Sequence, residues 1–119
     1  MPSVLIAESN GLLAKYFITI VESIGYSVCG VAVTSEEAVA LAENARPDLV
    51  LMEDYLPGRQ DCVAAAHEMK LHRAVAVVLI TDDQAPATSK RLQNADADAV
   101  LVKPVGARDL WDTLQRCCA

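Results

Sequence analysis

Five short apolar runs, each followed by a stretch of helical or polar spacing, constrain this chain more than any other feature of it. They lie at residues 4–7, 26–33, 49–52, 75–80 and 99–102. Leu49-Val50-Leu51-Met52 and Val75-Ala76-Val77-Val78-Leu79-Ile80 are apolar at every position, not at alternate ones. Such a strand is covered on both faces, which is the condition of a parallel sheet flanked by helices. Between the runs, Leu13, Phe17, Ile20 and Ile24 recur at helical spacing before Gly25 stops the helix. Thr34 with Glu37 three residues on forms a capping box that opens the next helix, through Ala38, Leu41 and Ala42. Residues 63–69, 86–94 and 108–117 supply the remaining helices, the last with Leu110, Trp111 and Leu114 as its inward face. The expectation is an α/β fold: a doubly wound, five-stranded parallel sheet with five flanking helices.

A length of 119 residues, 53% of them hydrophobic, suits one domain spanning 1–119 with a sizeable core. The net charge of −6 repels phosphate backbones and anionic lipid, which argues against nucleic-acid or membrane binding. No apolar run has the length of a membrane span, and Glu8 follows the first run at once, unlike a signal peptide. Cys29, Cys62, Cys117 and Cys118 make no Cys-x-x-Cys pair and no disulfide framework, so a reducing cytoplasm is expected.

In open parallel sheets, function gathers at the carboxyl ends of the strands. Those ends carry Glu8, Ser9 and Asn10; Glu53 and Asp54; Thr81, Asp82 and Asp83; and Lys103 with Pro104. Each is unremarked alone, since strand ends meet solvent. Together they bring carboxylates, a hydroxyl and a lysine to one edge. Carboxylates suit a hard cation such as Mg2+, and the lysine and hydroxyl suit a phosphoryl group.

At this point the sequence resembles the receiver domain of two-component response regulators over nearly its whole length. The matching segments are Val4-Leu5-Ile6-Ala7-Glu8, Gly25-Tyr26, Pro47-Asp48-Leu49-Val50-Leu51-Met52, Leu56-Pro57-Gly58, Leu79-Ile80-Thr81 and Val102-Lys103-Pro104. The resemblance implies a flavodoxin-like fold of strand order 2-1-3-4-5. It implies an aspartate phosphoacceptor after the third strand, fed by a histidine kinase or phosphotransfer protein. Acids after the first strand would help bind Mg2+, and Thr81 and Lys103 would contact the phosphoryl group. An aromatic switch residue on the fifth strand and frequent pairing through helix 4, strand 5 and helix 5 are also implied, so a homodimer is one expectation.

The chain departs from that pattern at its centre. Ser9, a weak neutral ligand, stands where a second acid is expected, which leaves Glu8, Glu53 and Asp54 as weak metal candidates. Glu53 falls on the acceptor position, and its extra methylene pushes the carboxylate towards the phosphoryl space and towards Lys103. Asp54 is the alternative acceptor, brought inwards if the strand carries a bulge; without one it points away. Val100 occupies the aromatic switch position and cannot make that reorientation. Ile18, with Ala14, is a candidate for partner contact on the first helix.

The favoured expectation is a degenerate single-domain receiver that signals through contacts with a histidine kinase, a phosphotransfer protein or an output protein, and is not an enzyme. The alternative is a phosphorylatable relay receiver using Asp54 or Glu53 with Mg2+. A cofactor enzyme on the same sheet is disfavoured, because Glu8-Ser9-Asn10-Gly11 is no Gly-rich phosphate loop.

Overall fold

The computed structural model describes residues 1–118. Strands β1 (Ser3–Ala7), β2 (Ser27–Ala32), β3 (Leu49–Glu53), β4 (Ala76–Thr81) and β5 (Ala99–Val102) alternate with helices α1 (Gly11–Ser23), α2 (Ser35–Ala45), α3 (Cys62–His72), α4 (Pro86–Gln93) and α5 (Ala107–Cys117). The strands form one sheet in the order β2-β1-β3-β4-β5, every neighbouring pair parallel. The doubly wound architecture and the strand order expected from the sequence are both present.

The uniform apolarity of β1, β3 and β4 follows from helices on both faces. Val4, Ile6, Leu49, Leu51, Val78 and Ile80 pack with Phe17, Ile20 and Val21 of α1 and Leu110 and Leu114 of α5. Leu5, Ala7, Val50, Met52, Val77 and Leu79 pack on the other face with Ala38 and Ala42 of α2, Ala65, Ala66 and Met69 of α3, and Leu92 of α4. Successive side chains on a strand alternate faces, so these two lists give the phase of every strand. β2 and β5 are the edges, and β5 leaves Val100 and Val102 exposed.

Helix starts follow their caps. Asn10 accepts from the backbone N–H groups of Leu12 and Leu13 to open α1, Thr34 accepts from Glu37 to open α2, and Asp61 accepts from Ala64 to open α3. Two expectations are corrected. The inward face of α5 is Leu110, Thr113 and Leu114, whereas Trp111 lies half-buried with Arg108 over its ring. Ile18 packs partly buried against the α1–α5 core, so the exposed apolar residues of α1 are Leu12 and Tyr16 instead. Among the described residues no helix is long and apolar enough to cross a membrane.

Candidate functional site

The carboxyl ends of β1, β3, β4 and β5 meet at one edge, but their side chains divide between the two faces of the sheet. Glu8 continues the phase of Val4 and Ile6, Glu53 that of Leu49 and Leu51, and Lys103 that of Ala99 and Leu101, so all three lie on the α1–α5 side. Asp54 continues the phase of Val50 and Met52, and Thr81 that of Val77 and Leu79, so these two lie on the α3–α4 side. No bulge intervenes in β3. Glu53 is in register with Ile80, and the Asp54 N–H carries the ladder on by donating to the Ile80 carbonyl at 2.6 Å. The Lys103 N–H donates to the Thr81 carbonyl at 2.8 Å, so these residues are backbone neighbours whose side chains diverge.

On the first side, Lys103 Nζ lies 2.8 Å from Glu53 Oε1 and 2.7 Å from Oε2, and 3.9 Å from Glu8 Oε1. The hydrogen bond is directed at Oε1 while Oε2 keeps the ionic contact with the ammonium; Glu8 Oε1 is buried without a hydrogen-bond donor. The other oxygen of Glu8 accepts from the Asn10 N–H at 3.0 Å. Two carboxylates thus face one ammonium. Burial, and then the hydrogen bond and charge of Glu8, push the Glu53 carboxyl up to about 8 against the opposing pull of Lys103. A proton held on Glu53 relieves the repulsion from the neighbouring Glu8 carboxylate.

On the second side, Asp54 is 2% exposed and fully engaged. Arg91 Nη2 of α4 donates to both its oxygens, at 2.7 and 2.8 Å. The Thr81 hydroxyl donates to Oδ2 at 3.1 Å, the Cys62 thiol to Oδ1 at 3.2 Å, and the Tyr55 N–H to Oδ1 at 3.1 Å. Burial and the neighbouring Asp54 push the Cys62 thiol up to about 12, so it stays a neutral donor. The bonds to Asp54 raise the Arg91 guanidinium further still. Neither Arg91 nor Cys62 is among the site residues expected from the sequence. The signal was there for Arg91: it shares a helix face with Thr88 and Leu92, the two residues that α4 buries.

The segment between β3 and α3 is held on its far side too. Glu36, in the first turn of α2, accepts from the Arg59 and Gln60 N–H groups at 3.1 and 3.0 Å and from the Ser35 hydroxyl at 3.1 Å. The backbone bond from Gln60 is the main reason its carboxyl lies below the usual range. Gly58, at φ +131, sits so close that an added Cβ would lie 2.6 Å from both Glu36 Oε1 and Ser35 Oγ.

The candidate residues do not fit a divalent cation. Asp54 is on the wrong side of β3 to join Glu8 and Glu53, Ser9 is exposed, and the Lys103 ammonium supplies the positive charge between the two remaining carboxylates. Among the described residues no three His, Cys, Asp or Glu side chains gather as a metal site requires. Val100, at the expected switch position, is a half-exposed edge residue.

Residues 4–115 match the response regulator receiver domain family. The chain is 37% identical over 112 residues to the transcriptional regulatory protein PdtaR of Mycobacterium tuberculosis, covering 94% of this chain and 54% of that protein. It therefore spans about half the length of that relative. It is 28% identical to the polar-differentiation response regulator DivK of Brucella abortus, covering 95% of this chain and 93% of that one. The crystal structure of the signal receiver domain of a modulated diguanylate cyclase from Desulfovibrio desulfuricans G20 superposes with a TM-score of 0.90 at 33% identity, over 99% of this chain and 94% of that one.

Proposed function

The chain belongs to the response regulator receiver domain family of two-component signalling, and from that premise we propose that it is a degenerate receiver, with phosphorylation weakened or absent and output through protein contacts. The observation that carries this reading is the division of the strand-end residues. Glu53 has Lys103 but not the Thr81 hydroxyl; Asp54 has Thr81 but not Lys103. Phosphoryl transfer rests on positioning and charge stabilisation by several groups at once, and neither carboxylate has the full set. Glu53 is further disabled as a nucleophile by the proton that its burial favours. Magnesium has no fitting ligand set among the described residues. The domain acts as a single module spanning 1–119 and not as an enzyme with an external substrate.

The relay alternative has one observation in its favour, the hydroxyl of Thr81 at Asp54. It is outweighed by the bidentate Arg91, which occupies both oxygens of a carboxylate that solvent barely reaches.

Partners of the expected kinds, a histidine kinase, a phosphotransfer protein or an output protein, have an apolar surface to use. Leu12 is 84% exposed on α1, and Leu13, Tyr16, Phe17, Pro104 and Val105 line a mostly apolar groove of about 500 Å3 that Lys103 borders. The acidic chain does not suit nucleic acid or anionic membranes. The reading is tested by titrating Mg2+ with and without beryllofluoride while following the amide resonances of Glu8, Glu53, Thr81 and Lys103. No saturable shift is expected. Saturable shifts at all four would restore an ordinary acceptor site.

A further inference from the structure

We propose that Asp54 and Arg91 form an internal latch that holds Thr81 and α4 in one arrangement, whether or not an anion sits at Glu53. The proposal builds on the receiver reading above and extends it to the regulation of the same edge. Its basis is a network joining three segments: the end of β3, the end of β4 and α4. Asp54, at the end of β3, takes Arg91 of α4 by two bonds and the Thr81 hydroxyl by a third. Arg91 also lies over the Tyr55 ring, 5.6 Å from its centroid, and 3.7 Å from Asp61 at the start of α3. Tyr55 is a bulky residue at φ +62, a backbone conformation that needs support from its surroundings. Its ring and hydroxyl give that support: the hydroxyl donates to Asp83 Oδ2 at 3.1 Å, which the Thr88 hydroxyl reaches at 2.6 Å. Asp83 in turn accepts from the Ala85 N–H at 2.8 Å, next to the start of α4, and donates its own N–H to Thr81 Oγ1 at 3.1 Å.

The Thr81 hydroxyl is thereby used in both directions, as donor to Asp54 and as acceptor from Asp83. Asp54 acts as a built-in anion for Thr81 and for Arg91 alike. An incoming anion at Glu53 finds the hydroxyl already committed on the opposite face. To recruit it, the anion must outcompete a buried carboxylate, and in doing so must pull at α4 through Arg91. The valine at position 100 offers no aromatic ring to follow such a movement. The latch thus fixes the β4–α4 segment without reference to the acceptor pocket.

Hydrogen–deuterium exchange of the whole chain tests this, on the wild type with and without Mg2+ and beryllofluoride and on two variants. In Asp54→Ala/Arg91→Ala, which removes both charges together and puts no apolar packing in their place, amides of residues 82–93 are expected to exchange at least roughly tenfold faster, with β1 and β3 unchanged. Asp54→Asn keeps the shape and one acceptor, guards against a folding failure of the double variant, and is expected to give a few-fold acceleration in the same segment. Wild-type exchange across residues 82–93 should be indifferent to beryllofluoride. Unchanged exchange there in either folded variant, or protection of 82–93 by beryllofluoride in the wild type, overturns the latch. Protection by beryllofluoride confined to residues 8–10 and 103–105 would instead defeat the degenerate pocket while supporting the latch.

Discussion

Removing the Arg91 side chain leaves the Asp54 carboxylate buried with only hydroxyl, thiol and amide donors. Breaking one side of a buried ion pair costs about 3–5 kcal/mol. Arg91 is about a third exposed, so the lower end applies. Arg91→Ala is expected to lose about 3 kcal/mol in urea unfolding. A loss below about 0.5 kcal/mol, the ordinary range for surface changes, would mean the pair is not closed in solution. Glu53 supplies a second prediction at this scale. Its folded-state carboxyl lies above the ordinary value of 4.5, at about 8, through burial and Glu8. The folded chain therefore holds this proton more tightly than the unfolded chain does. The resulting stabilisation is complete below about pH 4.5 and fades as the pH rises through about 8. Relative to Glu53→Gln, the wild type should lose stability across that window, seen as a falling urea midpoint. Parallel profiles for the two proteins would contradict the raised Glu53 carboxyl.

At the scale of elements, the segment between β3 and α3 is clamped by Glu36 on one side and by Arg91 on the other. Gly58→Ala would drive a Cβ into Glu36 and Ser35 at a φ that alanine avoids. A destabilisation of about 1–3 kcal/mol is expected from such overpacking, with faster amide exchange at Arg59 and Gln60. What the sequence reveals of these elements depends on pattern contrast. The bounds of β5 and the N-terminus of α4 are as read, because Lys103-Pro104 and Pro86 punctuate them. The division of Thr81 from Lys103 is harder to read for a physical reason. Strands covered on both faces are apolar throughout, so the alternation that would show which way a strand-end side chain points is erased. That Glu53 and Lys103 both end strands is legible from the sequence, and the receiver resemblance implies their proximity; the partner of Asp54 requires knowing that α4 turns Thr88, Arg91 and Leu92 inwards. Trp111 misleads in the same way, since the inward row of α5 runs through the small polar Thr113.

At the scale of the molecule, the sheet carries the family architecture while the side chains at its carboxyl edge divide between its two faces. The core needs nothing from that edge: two apolar layers, one with α1 and α5 and one with α2, α3 and α4, are complete without it. On the proposed reading, exchanges at the strand ends that keep the Asp54–Arg91 pair leave the fold standing while altering the acceptor. Leu12→Ala on the exposed part of α1 should leave urea stability within about 0.5 kcal/mol of wild type while weakening capture by a cognate kinase or phosphotransfer protein. Equal binding by both proteins would place the contact elsewhere.

The most direct measurement is intact-mass spectrometry after incubation with acetyl phosphate and Mg2+, read on wild type, Glu53→Asp and Asp54→Ala. Unmodified wild-type protein is the expected result, because the acceptor set is divided between the faces of the sheet. A stoichiometric phosphoryl adduct on the wild type, lost in Asp54→Ala, would contradict it.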